Sequence, residues 1–190
     1  MVGARQVSPV RQVAFVRNIM VGRRGLTRDV LLHIFATAGA RETRSYIATG
    51  NFAFSAPVGS VEAIVQRIEA GIEQVLGHRE EVFIRSVDAL HQLDQARPFA
   101  TASEAGDHYR AVTFVPDGCE WTGALPSRVP RGDLEIISAS GPNIFAVINR
   151  IDAGMSSPHS LVERTLKVRA TTRNWNTIER ILRAEGLNEE

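Results

Sequence analysis

The stretch TRSYIATGNFAFSA, residues 43 to 56, constrains the fold more than any other part of the chain. Two strand-like runs, SYIA and FAFS, flank Thr49, Gly50 and Asn51, residue types that tight hairpins place at positive φ. On both sides the apolar period changes from that of a strand to that of a helix. Before it, LTRDVLLHIFATAGA puts Val30, Leu31, Ile34, Phe35 and Ala38 on one helical face, with Thr27 to cap the start and Gly39 to stop it. After it, SVEAIVQRIEAGIEQVLG puts Val61, Ile64, Val65, Ile68, Ile72 and Val75 on one face, with Ser60 as its cap. The apolar runs QVAFVRN (12–18) and EVFIRS (81–86) add a strand at each end. Residues 12–86 therefore read β-α-β-β-α-β, the order of a ferredoxin-like sandwich with two helices on one face of an antiparallel sheet.

The second half repeats that order. SVDALHQLDQ reads as a helix and RPFA as a turn, followed by a strand at HYRAVTFVP and a weak helix between residues 117 and 130. DLEIISAS and NIFAVIN then form a pair joined through Gly141 and Pro142. SPHSLVERTL gives a short helix, KVRA a strand, and TRNWNTIERILRAEG a terminal helix capped by Thr172. The hairpins YIATGNFAF and IISASGPNIFAV echo each other faintly, so internal duplication is favoured over a single larger domain. The expected fold is α+β: two ferredoxin-like β-α-β-β-α-β halves plus a C-terminal helix. The first subdomain spans 12–86, a helical linker 87–106, and the second subdomain 107–190.

Composition narrows the function classes. With 44% hydrophobic and 23% charged residues, the chain has the balance of a soluble protein with a sizeable core. A lone cysteine, Cys119, cannot form an internal disulfide, and neither a membrane-length apolar run nor a signal-peptide core is present, so a cytoplasmic protein is expected. The net charge of +1 argues against a generally basic nucleic-acid binder, so anion recognition has to come from local clustering. All but one of the 22 basic residues are arginine, which reads first as a codon bias.

Three segments, VAFVRNIMVG, LLHIFATAGARETRSYIATGNFAFS and VRATTRNWNTIERIL, resemble the signatures RGINVGG, TYIQSGNVVF and TxRNWxT of the bacterial family catalogued as domain of unknown function 1697. The resemblance runs from about residue 12 to residue 184, with the motifs in the family's order and spacing. It implies a fold of two ferredoxin-like halves and brings no established activity or cofactor. The chain departs from the pattern at Asn18, Met20 and Arg23, and it has GMSSPHSL where the family carries a basic GRSKL segment.

One edge concentrates the candidate site. In this topology the loop after the first strand and the hairpin at residues 49–51 emerge at the same end of the sheet, so Asn51 should stand close to Arg17 and Asn18. Gly22 and Gly25 permit a loop with inward-facing N–H groups, and the next helix presents its N-terminus there. Together with Arg23, Arg24 and Arg28 these features fit a site for a phosphate-bearing small molecule or a nucleic-acid backbone. The plain alternative is that Arg17 pairs with a carboxylate and the others are solvated.

A second reading is a small phosphoryl or acyl-phosphate hydrolase, by analogy with small acyl-phosphate hydrolases that place an arginine loop and an asparagine at this position. A third is an assembly or scaffold protein without a catalytic site. Arg173 and Asn174 form a second cluster, read first as tying down the terminal helix. Phe52 and Phe54 alternate onto one face, which favours core packing over base stacking. The five histidines lack metal-ligand spacing, so no metal or cofactor is expected.

Overall fold

A computed structural model describes residues 9–102, 108–149 and 155–187. The chain divides into two compact units, one ending at Ala89 and the other beginning at Leu90.

The first unit follows the expected order. Strand β1 (Pro9–Val16) leads through a loop to helix α1 (Arg28–Ala38). Thr27 caps α1 by accepting the Val30 N–H, and Gly39 ends it in the left-handed region at φ 99°. The hairpin strands β2 (Arg41–Tyr46) and β3 (Asn51–Pro57) precede helix α2 (Val61–Leu76) and strand β4 (Val82–Ser86). The sheet runs β2-β3-β1-β4 with every neighbour antiparallel, the ferredoxin-like arrangement. Leu31, Phe35, Ile64, Ile68 and Ile72 cover Phe52 and Phe54, neither of which has exposed surface. The Phe35 ring lies 4.7 Å from that of Phe52 and 5.8 Å from that of Phe54. These two phenylalanines are core, and no base could reach them.

Local readings fail where a distant contact decides. The hairpin's positive φ values fall on Ile47 (56°) and Gly50 (74°), not on Thr49 or Asn51. Asn51 is instead the first residue of β3, paired with Tyr46 and Phe15. Ser60 stands at the N-cap position of α2 as expected, but it ends a single 3₁₀ turn and donates its hydroxyl to the Pro57 carbonyl, so its side chain makes no cap bond.

Helix α3 (Val87–Gln95) runs across the boundary, and the second unit continues with β5 (His108–Phe114), a two-residue strand β6 (Ser127–Arg128), and the pair β7 (Leu134–Ser140) and β8 (Asn143–Asn149). Helix α4 (Pro158–Leu166), strand β9 (Thr171–Asn174) and helix α5 (Trp175–Ala184) complete it. Its sheet runs β6-β7-β8-β5-β9, so β7, β8, β5 and β9 repeat the order of β2, β3, β1 and β4. Ile144 and Ala146 pack with Val162 of α4, whereas Phe145, which alternates to the opposite face, meets Trp175 of α5 at 5.8 Å.

Three expectations are corrected here. No helix forms between 117 and 130, where Pro116, Pro126 and Pro130 with Gly118 and Gly123 deny the chain a helical run. KVRA is not a strand, because Lys167 closes α4 in the left-handed region at φ 57°. The terminal helix begins at Trp175, and Asn174, not Thr172, caps it. Thr172 is held in β9 instead, opposite Thr113, with the two hydroxyls 2.8 Å apart.

Candidate functional site

The loop between β1 and α1 is built by hydrogen bonds that its sequence only partly announces. Val16 N–H donates to the Gly50 carbonyl, Arg17 N–H to Glu81 and Val21 N–H to Ala48, which stitches the loop to the β2–β3 hairpin and to the start of β4. Within the loop, Gly22 N–H donates to Leu26 at 2.7 Å and Leu26 N–H to Arg23 at 3.0 Å. Arg24 (φ 51°) and Gly25 (φ 81°) occupy the two central positions of this tight turn, the geometry of a type I′ hairpin. Gly22 (φ 90°) and Gly25 both lie at positive φ. The inward cradle of N–H donors does not form, because the N–H groups of Gly22, Arg23, Leu26 and Thr27 are all taken by loop carbonyls.

The turn has a different product. Arg23 and Arg24 stand exposed at its tip, and among the described residues neither has an ion-pair partner. Beside them lies a groove of about 430 Å³ lined by Asn18, Met20, Arg23, Arg24, His78 and Glu80, with Leu26 beneath. Asn18 is exposed and held at φ 52°.

Arg17 and Asn51 do not line this groove. Arg17 is half-buried, its Nη1 3.5 Å from Oε2 of Glu80, the carboxylate partner that the plain reading of this residue anticipates. The Glu80 carboxylate also lies 3.4 Å from Nε2 of His78. Asn51 has no exposed surface, and its Nδ2 donates to the Tyr46 carbonyl at 3.1 Å and to Thr49 Oγ1 at 3.0 Å. The topology therefore brings Asn51 to the expected end of the sheet and then turns its amide inward.

His78 and Glu80 escaped the sequence reading, although the signal was there. Val16 pairs with Val82, so the residues before β4 necessarily run beside those after β1.

The second cluster is taken apart by β9. Arg173 is buried within the strand, donating to Thr171 Oγ1 at 2.7 Å and to the Thr172 carbonyl at 2.8 Å. Burial pushes its guanidinium down to about 10, so it stays charged at neutral pH. Asn174 Oδ1 accepts the Asn176 N–H at 3.0 Å as the cap of α5. Among the described residues no three His, Cys, Asp or Glu side chains cluster as metal ligands would, and no helix is long and apolar enough to cross a membrane.

Comparison with known proteins places the fold and leaves the chemistry open. A conserved bacterial protein from Streptococcus pneumoniae has a similar structure, with a TM-score of 0.65 at 18% identity, covering 96% of this chain and 100% of its own. At that identity the likeness is one of fold. None of the curated proteins matches the chain. The model of a family described as protein of unknown function, DUF1697, matches residues 10–145, a span that holds the first two motifs and stops short of the RNWNT segment. The chain belongs to this DUF1697 family.

Proposed function

We propose that the protein is a binding module that holds a phosphate-bearing ligand, a nucleic-acid backbone foremost, on the loop that carries Arg23 and Arg24. One observation carries the reading: two adjacent exposed arginines sit at the tip of a hydrogen-bonded tight turn, with no carboxylate partner among the described residues. Arginine side chains on a convex turn suit successive phosphates along a strand better than a single enclosed anion. Asn18 and His78 line the adjacent groove and supply further polar contacts. The Glu80 carboxylate in that groove is offset by Arg17, which leaves the net charge of the loop positive.

The hydrolase reading has less behind it. A residue that positions water must reach water, and Asn51 has no exposed surface. The same burial favours the scaffold reading as the runner-up, with Asn51 and Arg17 serving as struts of the fold.

The test is binding of a labelled single-stranded oligonucleotide to the full chain over a range of salt concentrations. Replacing Arg23 and Arg24 by Ala should lower the magnitude of the log–log salt slope by about 1.4, two contacts at about 0.7 each on a single strand. An unchanged slope, or no binding at low salt, sinks the nucleic-acid reading.

A further inference from the structure

We propose, building on the binding reading above, that the groove beside Arg23 and Arg24 takes one unpaired base of the strand whose phosphates those arginines hold, so that the partner is single-stranded nucleic acid and not a duplex. At about 430 Å³ the groove falls within the range of small-molecule sites and exceeds what a phosphate alone requires. The arginines answer phosphates, and the groove beside them has room for the planar part of a nucleotide.

The groove has walls of two kinds. Ile19, Leu26 and Leu76 are apolar, Leu26 being buried as its floor, and Met20 stands beside them with 47% of its surface exposed. A thioether so placed suits an aromatic heterocycle, against which methionine sulfur packs favourably. Asn18 lines the same groove, and its side-chain amide makes no hydrogen bond among the described residues. The acceptor and two donors of that amide match the mixed donor and acceptor edge of an unpaired base. Glu80 adds a carboxylate, but its oxygens lie 3.5 Å from Nη1 of Arg17 and 3.4 Å from Nε2 of His78. That carboxylate is held by the fold and does not face the phosphates unanswered.

The base and phosphate sides share one frame. Arg23 N–H donates to the Met20 carbonyl at 3.1 Å and Val21 N–H to the Ala48 carbonyl at 2.9 Å. The arm that carries Asn18 and Met20 is therefore tied both to the arginine turn and to the β2–β3 hairpin. Groups held in this way lose little freedom when a ligand arrives. A base that is stacked and paired cannot enter such a groove, whereas a single strand can turn one in at the cost of unstacking alone. The preference for unpaired nucleic acid follows from that difference.

The experiment measures fluorescence anisotropy of three labelled probes of equal length with the full chain: a short oligothymidylate, a chain with abasic sugars in place of the nucleosides, and a duplex. The oligothymidylate should bind about tenfold more tightly than the abasic chain, the gain from one seated base, and more tightly than the duplex at the same salt. Met20→Ala and Asn18→Gly, the second chosen because Asn18 sits at φ 52°, should each shrink the preference for the base-bearing strand and leave its salt slope unchanged. Arg23→Ala with Arg24→Ala should weaken the base-bearing and abasic strands alike. Equal affinity for those two strands, with a salt slope that still depends on Arg23 and Arg24, would overturn the base site and leave the phosphate reading standing. An undiminished preference in both Met20→Ala and Asn18→Gly would do the same. No binding of any probe, or a slope indifferent to the two arginines, would remove both.

Discussion

The side-chain amide of Asn51, at the start of β3, donates to the carbonyl of Tyr46, at the end of β2, across 3.1 Å in a site with no exposed surface. The same nitrogen donates to Thr49 Oγ1, so one residue closes the mouth of the hairpin from within. A residue whose type suggests chemistry is here part of the frame that sets the neighbouring loop.

Asn51→Ala should therefore cost stability and not binding. It removes two hydrogen bonds donated from a fully buried amide, a loss of about 1–3 kcal/mol. Urea unfolding measures the first effect, and oligonucleotide affinity at fixed salt should match the parent. A stable variant that no longer binds would show Asn51 to be a ligand contact after all.

Two glycines of the same edge should respond differently to alanine. A Cβ on Gly22 would meet nothing within 4 Å, so only its φ of 90° is penalised, by about 1–2 kcal/mol. A Cβ on Gly50 would stand 2.6 Å from Ile19 Cγ1 and 3.1 Å from the Val16 carbonyl. With φ at 74° the strain adds to the clash, and Gly50→Ala should lose about 1–3 kcal/mol more than Gly22→Ala by thermal or urea unfolding.

Local signals were readable and paired ones were not. Thr27 and Gly39 bound α1 as their types suggest, because cap and stop act within one turn of chain. Ser60 and Thr172 are equally good cap residues, yet one is drawn into a 3₁₀ turn and the other into β9 by its pairing with β5. At the candidate site the exposed arginines were legible, because their exposure follows from the turn. The neutralisation of Arg17 was anticipated only in kind, since its partner Glu80 lies 63 residues on and arrives through the pairing of β1 with β4.

Asp133 should give the acid limb of stability a distinct shape. Burial alone would raise its carboxyl, but the backbone N–H and hydroxyl of Ser156, with Arg131 nearby, outweigh that and hold it below its ordinary value. A folded value below the unfolded one means that the stabilisation is fully present above the unfolded pKa of about 4 and is lost as pH falls through the lower, folded value. Asp133→Asn should be less stable than the parent at neutral pH, and the gap should narrow as pH drops below about 4. Parallel curves of unfolding midpoint against pH would remove the assignment.

Asn174 separates the two readings of the RNWNT segment. As the cap of α5 its Oδ1 accepts the Asn176 N–H at 3.0 Å, a role that aspartate and serine can also fill and alanine cannot. Asn174→Ala should cost about 1 kcal/mol, and Asn174→Asp should stay close to the parent, since a carboxylate also suits the positive end of the helix. Helical α5 supplies Ile178, Ile181 and Leu182 to the interior, so the loss should be seen in global unfolding and not only as fraying of one end. Urea midpoints of the three proteins decide the matter. If Asn174→Asp fell as far as Asn174→Ala, capping would not explain the residue, and a ligand contact through its amide nitrogen would become the better account.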